Sequence, residues 1–341
     1  MKFKLNNFDL LRVLAAYQVI FGHALGHFDL SGIPFSGYFP GVPIFFAISG
    51  FLISASWERS NSLGQYLKNR FLRIYPALWF CFFLSVFVAS LTYDFTIFSF
   101  DFFKWSLAQL TIGQFYNPDF FRGYGVGVIN GSLWTIPVEI QFYIVIPIIY
   151  FIMNKLRWNN FVFAFFLVLF SVINFTTYLF NPVYGEVLAF KLFSVTVIPY
   201  LNMFLFGVFL QKNIYIVEKF LANKVFFWLG VYVISILVTE NMGILNSGNS
   251  INPVSALLLT LVVISAAYSY VDKFNGILKG NDISYGVYIY HMIFVNFLLS
   301  VNVFGPEINV ALVVLLTTVV AFLSWRFLEK PMLSMKAVKF R

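Results

Sequence analysis

The chain has 341 residues, of which 60% are hydrophobic and 11% are charged, whereas soluble domains carry about 25% charged residues. This composition excludes an ordinary soluble domain and indicates a polytopic membrane protein. The formal net charge of +8 does not indicate nucleic-acid binding, because lysine and arginine collect on the cytoplasmic side of membrane proteins.

Apolar runs of about 17 to 25 residues predict membrane-spanning helices. Such runs follow one another along the whole chain, so the predicted fold class is all-α, a transmembrane helical bundle of about ten spans. The predicted spans are 8–28, 38–57, 74–93, 132–152, 159–180, 190–211, 225–240, 253–271, 283–301 and 309–328.

The distribution of positive charge predicts the orientation. With the N-terminus inside, 19 of the 22 lysine and arginine residues fall on the cytoplasmic side. The remaining three, Lys104, Arg122 and Lys191, fall outside. An asymmetry this large predicts that both termini are cytoplasmic.

The first span contains an arginine and two histidines. Arg12 and His23 are eleven residues apart, which is about 20° past three full helical turns, so both share one helix face. His23 then lies roughly 16 Å along the axis from Arg12, near the bilayer middle, where ionisable groups usually have partners or a function. A neutral His23 suits a general base; a hydrogen bond to a neighbouring helix is the alternative. His27, nearer the outer surface, is either a second candidate or an interfacial residue.

The cytoplasmic segment Tyr66–Phe80 carries Lys68, Arg70 and Arg73 before the third span. The two arginines are three residues apart and share a helix face. They fit an ordinary positive-inside anchor. They also fit a binding site for the phosphates of a cofactor such as coenzyme A, since arginine binds phosphate bidentately. Spacing alone does not choose between these interpretations.

The fourth span follows a long outer connection, 94–131, which we interpret as a lid or re-entrant segment. The motif GSLWTIPVEIQFY (131–143) opens this span and contains Trp134, another candidate site residue, and Glu139. Glu139 lies roughly 10 Å inside the membrane, where a carboxylate is rarely without a function. We expect it to face His23 or Arg12, with a structural ion pair as the alternative.

The ninth span opens with ISYGVYIYHM (283–292), which places several tyrosines and a histidine together. Tyr288 and Tyr290 fit the aromatic belt of a membrane interface. Tyr285 is a further candidate site residue. His291 lies about eight residues into the span, deeper than an interfacial residue, and is also a candidate.

Taken together, these motifs resemble the acyltransferase-3 family of integral membrane O-acyltransferases. The resemblance runs in order along the chain, through DLLRVLAAYQVIFGH (9–23), GVPIFFAISGFLI (41–53), RFLRIYP (70–76), SLWTIPVEIQFY (132–143), ISYGVYIYH (283–291) and FLEKP (327–331). One departure is Pro43, which occupies a position where many members of the family have Asp, and this argues against a polar role there.

The resemblance implies a single membrane-embedded acyltransferase domain, 1–341, in the bacterial cytoplasmic (inner) membrane. It implies transfer of an acyl group, usually acetyl, from cytoplasmic acyl-CoA to a hydroxyl of a cell-surface glycan, such as an O-antigen polysaccharide, or its lipid-linked precursor. The expected partners are acyl-CoA, that acceptor and membrane lipids, without nucleic acid or metal. The family's paired motifs fall on Arg12 with His23 and on Arg70 with Arg73.

In this hypothesis His23 is the base or a transient acyl carrier, and Arg12 or Glu139 sets its tautomer and charge. Arg70, Arg73 and Lys68 bind the donor phosphates. A transporter or flippase for a lipid-linked glycan is the alternative function, because it would use similar intramembrane groups. A catalytically silent scaffold is a third interpretation.

Overall fold

The computed structural model describes residues 6–30, 35–60, 62–157, 159–244, 249, 251–274 and 276–337. Within those ranges the chain is built of helices and contains no strand. The predicted all-α fold class is therefore confirmed. Lys2, Lys4, Lys339 and Arg341, which helped to orient the termini, lie outside the described residues, so the cytoplasmic position of both termini stays a prediction.

The described ranges contain a series of α-helices, and the longest connection joins α5 to α6. In chain order they are α1 (Phe8–His27), α2 (Phe35–Tyr38), α3 (Gly41–Glu58), α4 (Leu63–Ser90), α5 (Phe100–Leu110), α6 (Thr135–Lys155), α7 (Asn160–Tyr184), α8 (Leu188–Ser194), α9 (Leu201–Lys212), α10 (Ile214–Ile216), α11 (Val225–Asn241), α12 (Pro253–Ala267), α13 (Val271–Phe274), α14 (Ser284–Val301), α15 (Pro306–Ser324) and α16 (Lys330–Ser334). Short 3-10 or π turns extend or join several of them, at Asp119–Phe121, Gly131–Trp134, Ile198–Tyr200, Val217–Leu221, Trp325–Glu329 and Met335–Ala337.

Among the described residues, seven helices are long and apolar enough to cross a membrane, and up to nine if each of two bent pairs is one span. The bends are 49° between α8 and α9 and 88° before α11. Helix α12, in the interval predicted as the eighth span, has 15 residues, which makes it shorter than a hydrocarbon core of about 30 Å. The chain is a multi-pass membrane protein, and a count of about ten spans stays a prediction.

Helix α4 begins earlier than the predicted third span. It is one helix of 28 residues from Leu63 to Ser90, so the segment that carries Lys68, Arg70 and Arg73 is continuous with the span. At 1.5 Å per residue, such a helix is longer than the hydrocarbon core of about 30 Å. The helix is thus long enough for one end to extend beyond the hydrocarbon, and its first turns carry the basic side chains.

The chain divides into two compact units, and the single membrane-embedded acyltransferase domain, 1–341, stays a prediction. The first comprises Met1–Ala15, Pro34–Leu63 and Gln141–Gly280. At its centre α3 and α9 cross so closely that glycines form the contact: a side chain at Gly50 would overlap the carbonyl oxygen of Phe204, and one at Gly207 would overlap that of Ala47. Small residues allow such backbone approach in membrane helices.

The second unit comprises Ala16–Ile33, Gly64–Ile140 and Asn281–Arg341. Its central element is α14, which has the largest buried share of the seven candidate spans. The long connection 94–131, called the cover below because it packs over part of α14, folds as α5 and a series of turns around an aromatic cluster. Its outer position stays a prediction. The cluster consists of Phe82, Ala89, Trp105, Phe121, Tyr124 and Ile129.

The cover is attached to α14 by asparagine side chains. The Asn296 Oδ1 atom accepts from the N–H of Val126 at 2.8 Å, and its Nδ2 donates to the carbonyls of Val128 and Ile129 at 2.9 and 3.0 Å. Asn130 Nδ2 donates to the carbonyl of Ile289 at 2.8 Å. Because amides satisfy these loop backbone groups, the irregular segment can lie against a buried helix.

The glycine crossing predicts a specific stability defect. We expect Gly50→Ala to lower the free energy of unfolding by about 1 to 3 kcal/mol, because the new methyl group must push α3 away from α9. Gly230→Ala in α11 is the matched control, since nothing lies within 4 Å of a Cβ there and alanine favours a helix. Melting temperatures of the two purified variants in one detergent check this; equal values would contradict it.

Candidate active site

The candidate site lies in the second unit, where α14 presents one polar side chain after another along its length. Tyr285 donates to the carbonyl of Ile74 at 3.1 Å. The Tyr288 hydroxyl donates to the carbonyl of Ser132 at 2.9 Å and lies 2.8 Å from the hydroxyl of Thr135. Both tyrosines are buried, so they belong to the interior and not to an aromatic belt. The aromatic-belt interpretation of Tyr288 is wrong.

Tyr290 is buried as well, and its belt interpretation is also wrong. Its hydroxyl lies 2.8 Å from that of Ser324 and donates to the carbonyl of Ala77 at 3.4 Å. The sequence could not separate these cases, since an interfacial tyrosine and an interior tyrosine both occur near the start of a span. What decides between them is the presence of partners on neighbouring helices.

His23 and His291 meet directly. His23 Nδ1 lies 2.8 Å from His291 Nε2, and the two rings are nearly parallel, 17° apart, with their centroids 5.1 Å apart. His291 is fully buried, whereas His23 keeps part of its surface exposed. The structure thus joins two histidines that the sequence offered as separate candidates, 268 residues apart.

His27 lies one turn beyond His23 on α1. The centroids of these two rings are 6.1 Å apart, and the His27 side chain is exposed. Arg12, eleven residues before His23, is half-buried on the same unbroken helix. The helix geometry needed for a shared face of Arg12 and His23 is therefore present. Arg12 belongs to the first compact unit and His23 to the second.

Glu139, on α6, is near the tyrosine end of the site. Its charge acts on the hydroxyl groups of Tyr285, Tyr288 and Tyr66. Trp134, five residues earlier, is half-buried in the turn that leads into α6. The influence of Glu139 on two tyrosines of α14 keeps this carboxylate a candidate for the electrostatics of the site.

The basic residues of α4 have distinct environments. Lys68 and Arg70 are half-buried, and the Arg70 guanidinium lies 5.8 Å from the ring centre of Tyr66, a favourable cation–π distance. Arg73 forms an ion pair with Asp282, with 2.6 Å between its Nη2 and Oδ2. The two side chains are 13% and 7% exposed, so the pair is largely shielded from water.

Asp282 was not among the candidates from the sequence. Besides binding Arg73, its Oδ1 accepts from the backbone N–H of Ser284 at 3.2 Å and from the Ser284 hydroxyl. It therefore holds the first turn of α14, where carboxylates stabilise exposed helical N–H groups. An aspartate directly before the predicted start of the ninth span, at 283, is the signal that could have identified it.

The Acyltransferase domain family model, that of the acyltransferase-3 family, matches residues 5–326. The chain belongs to the acyltransferase-3 family. The match covers α1, α4, α6 and α14, and so every element of the site described above. No solved structure matches the chain.

This acyltransferase is similar to three curated relatives. Nodulation protein 10 of Rhizobium leguminosarum bv. viciae is 31% identical, over 97% of this chain and 94% of that protein. The O-acetyl transferase of Shigella phage Sf6 is 37% identical, over 42% of this chain and 45% of that protein. The O-acetyltransferase OatA of Staphylococcus aureus is 25% identical, over 95% of this chain and 56% of that protein. The family and these relatives identify the acyltransferase as an O-acetyltransferase.

The Arg73–Asp282 pair predicts a large effect from a single truncation. Arg73→Ala should lower the free energy of unfolding by about 3 to 5 kcal/mol, because it leaves a largely buried carboxylate without its counter-ion. Arg122→Ala is the control: its pair with Asp119 is 3.4 Å long and 59% and 98% exposed, and exposed pairs contribute about 0 to 1 kcal/mol. Thermal unfolding in detergent measures both, and equal losses would argue against a buried structural pair.

Proposed function

We propose that this acyltransferase moves an acetyl group from acetyl-CoA to a hydroxyl of a cell-surface glycan or of its lipid-linked precursor. The observation that carries the proposal is the hydrogen-bonded pair of His23 and His291, found in a chain that belongs to an acyltransferase family. A half-buried histidine held by a second histidine is suited to general-base chemistry. The acceptor class is supported by the relative named Peptidoglycan O-acetyltransferase OatA, from Listeria monocytogenes, which is 30% identical over 44% of this chain and 24% of that protein.

The reaction needs one proton acceptor and one electrophile. His23 takes the proton of the acceptor hydroxyl while the oxygen attacks the thioester carbonyl carbon. The new C–O bond forms and the C–S bond breaks. The departing coenzyme A thiolate then takes the proton from His23. The products are the acetyl ester and free coenzyme A, so no other reactant is consumed.

A transient acyl carrier is the other role open to His23. In that route the ring nitrogen attacks the thioester carbon, the C–S bond breaks and coenzyme A leaves as the thiolate. The acceptor hydroxyl then takes the acetyl group from the imidazole, and its proton passes to the thiolate. Both routes need a neutral ring nitrogen at His23, at the hydroxyl proton in the first and at the thioester carbon in the second.

We assign the donor phosphates to the basic face of α4. Arg70 and Lys68 lie on the part of the helix that extends beyond the hydrocarbon, where a phosphate group stays hydrated until it binds. Arg73, three residues further along the same helix and paired with Asp282, adds positive charge to this face. Glu139 supplies negative charge to the tyrosine end of the site. Arg12, roughly 16 Å before His23 along α1, acts on it only at long range. This arrangement suits a bacterial cytoplasmic membrane, with the donor on the cytoplasmic side.

Removal of the base gives the central test. The variants are expressed at matched levels in cells that lack the protein. His23→Ala should lower the rate at which acetyl ester appears on the surface glycan by about 10² to 10⁴-fold. His27→Ala should keep most of the ester, because the His27 ring is exposed and takes no part in the proposed proton transfer. Mass spectrometry of the isolated glycan quantifies the ester. Undiminished acetylation by His23→Ala would overturn the assignment.

Salt dependence tests the donor assignment. Arg70→Ala should weaken acetyl-CoA binding about tenfold at low salt, because it removes a charge-assisted phosphate contact. The defect should shrink as salt screens the wild-type interaction. Equilibrium binding to purified protein at two salt concentrations measures this, with Arg122→Ala as a control of equal charge change. A defect that is the same at both salts would count against a phosphate contact.

A further inference from the structure

The hydrogen-bonded histidine pair has a third member, a backbone carbonyl that can only accept a hydrogen bond. His291 Nδ1 lies 2.7 Å from the backbone carbonyl oxygen of Tyr288. A carbonyl oxygen only accepts hydrogen bonds, so the hydrogen in this bond belongs to His291 Nδ1. This single acceptor sets the direction of the whole chain of contacts.

The consequence passes from ring to ring. A neutral imidazole that carries its hydrogen on Nδ1 has a lone pair on Nε2. His291 Nε2 is therefore an acceptor, and the group that faces it, 2.8 Å away, is His23 Nδ1. His23 must then carry its own hydrogen on Nδ1, which leaves the lone pair on His23 Nε2.

A doubly protonated His291 would reverse this order, and its position opposes that state. The ring is fully buried, and an imidazolium there loses its hydration, which costs far more than burial of the neutral ring. Tyr288 is in turn fixed by its bonds to Ser132 and Thr135. The acceptor carbonyl and the ring that donates to it therefore stay in register on one helix.

We propose that His291 is a positioning residue that locks His23 in the Nδ1–H tautomer and so presents Nε2 as the base to the acceptor hydroxyl. This inference deepens the proposed function, and it depends on His23 being the base there. When Nε2 takes the proton from the hydroxyl, the His23 imidazolium keeps donating from Nδ1 to His291 Nε2. The lone pair of His291 then stabilises the charge without a second proton transfer, and the thiolate removes the proton from Nε2.

The role resembles what a buried aspartate does for a catalytic histidine, where the wrong tautomer removes most of the activity. Here the orienting group is a neutral ring held by a backbone carbonyl. The carbonyl of Tyr288 thus determines which nitrogen of His23 is reactive, because the His291 ring lies between that carbonyl and His23.

Nitrogen NMR reads the tautomer directly. The sequence contains three histidines, so protein labelled with ¹⁵N-histidine gives signals from only those rings. We expect Nδ1 protonated and Nε2 unprotonated in both His23 and His291, while the exposed His27 shows exchange between tautomers. Single-histidine variants assign the signals. A wild-type spectrum with the hydrogen on His23 Nε2 would overturn the inference, whatever the activity of the protein.

Two substitutions separate positioning from folding. His291→Leu removes the acceptor and should lower kcat about 10²-fold through misplacement of the base, with KM for acetyl-CoA unchanged and His23 exchanging between tautomers. His291→Gln can place its amide oxygen near the former Nε2; it should restore the Nδ1–H state and most of kcat. Loss of kcat in His291→Leu with the His23 tautomer still locked would contradict the proposal, as would a failure of His291→Gln to exceed His291→Leu.

The same experiments distinguish failure of the inference from failure of the proposed function. If the wild-type protein shows the expected tautomers but transfers no acetyl group, the acyl-transfer proposal fails while the tautomer lock holds. If the wild type transfers acetyl and His23 carries its hydrogen on Nε2, the lock is wrong and the acyl-transfer proposal stands.

Discussion

A polar side chain buried in a membrane helix needs a partner on another element, and α14 meets this need along most of its length. Tyr285, Tyr288, Tyr290, His291 and Asn296 bind groups on α4, on the turn before α6, on α15, on α1 and on the cover. Because an unsatisfied polar group in hydrocarbon costs several kcal/mol, each bond also fixes the rotation and depth of the helix. The second unit is organised around this requirement.

The ends of α14 are held by different means. At its start, Asp282 joins the first turn to Arg73 on α4. Towards its other end, Asn296 ties the cover to the helix through three backbone groups. Between these anchors, His291 has little freedom to move. The proposed mechanism needs its base within a fraction of an ångström of the target, and the bonds that hold α14 in place would position His23 for that role.

The sequence predicted the parts of this site that depend on one helix. Regular helix geometry predicted a shared face for Arg12 and His23, and both residues lie on the single helix α1. Depth in the predicted ninth span made His291 a candidate, and its role stays a proposal. The contacts between helices could not be predicted, because His23 and His291 lie far apart in the chain and periodicity says nothing about which helices become neighbours.

Arg73 shows the limit clearly. Its spacing from Arg70 fits a phosphate site, yet its nearest acidic partner, Asp282, lies 209 residues away. The 15-residue α12 and the two bent helix pairs show a similar limit for spans, since an apolar run does not reveal where a helix breaks.

The proposed function requires that this membrane chain itself carries out acyl transfer. The match to OatA from Staphylococcus aureus covers 56% of that protein, so the activity of the whole relative is not evidence enough for this chain. The most direct measurement uses the purified chain in nanodiscs with labelled acetyl-CoA and the glycan fraction from cells that lack the protein. We expect label on the glycan together with an equal amount of free coenzyme A. An unlabelled glycan fraction with no release of coenzyme A would contradict the proposed function.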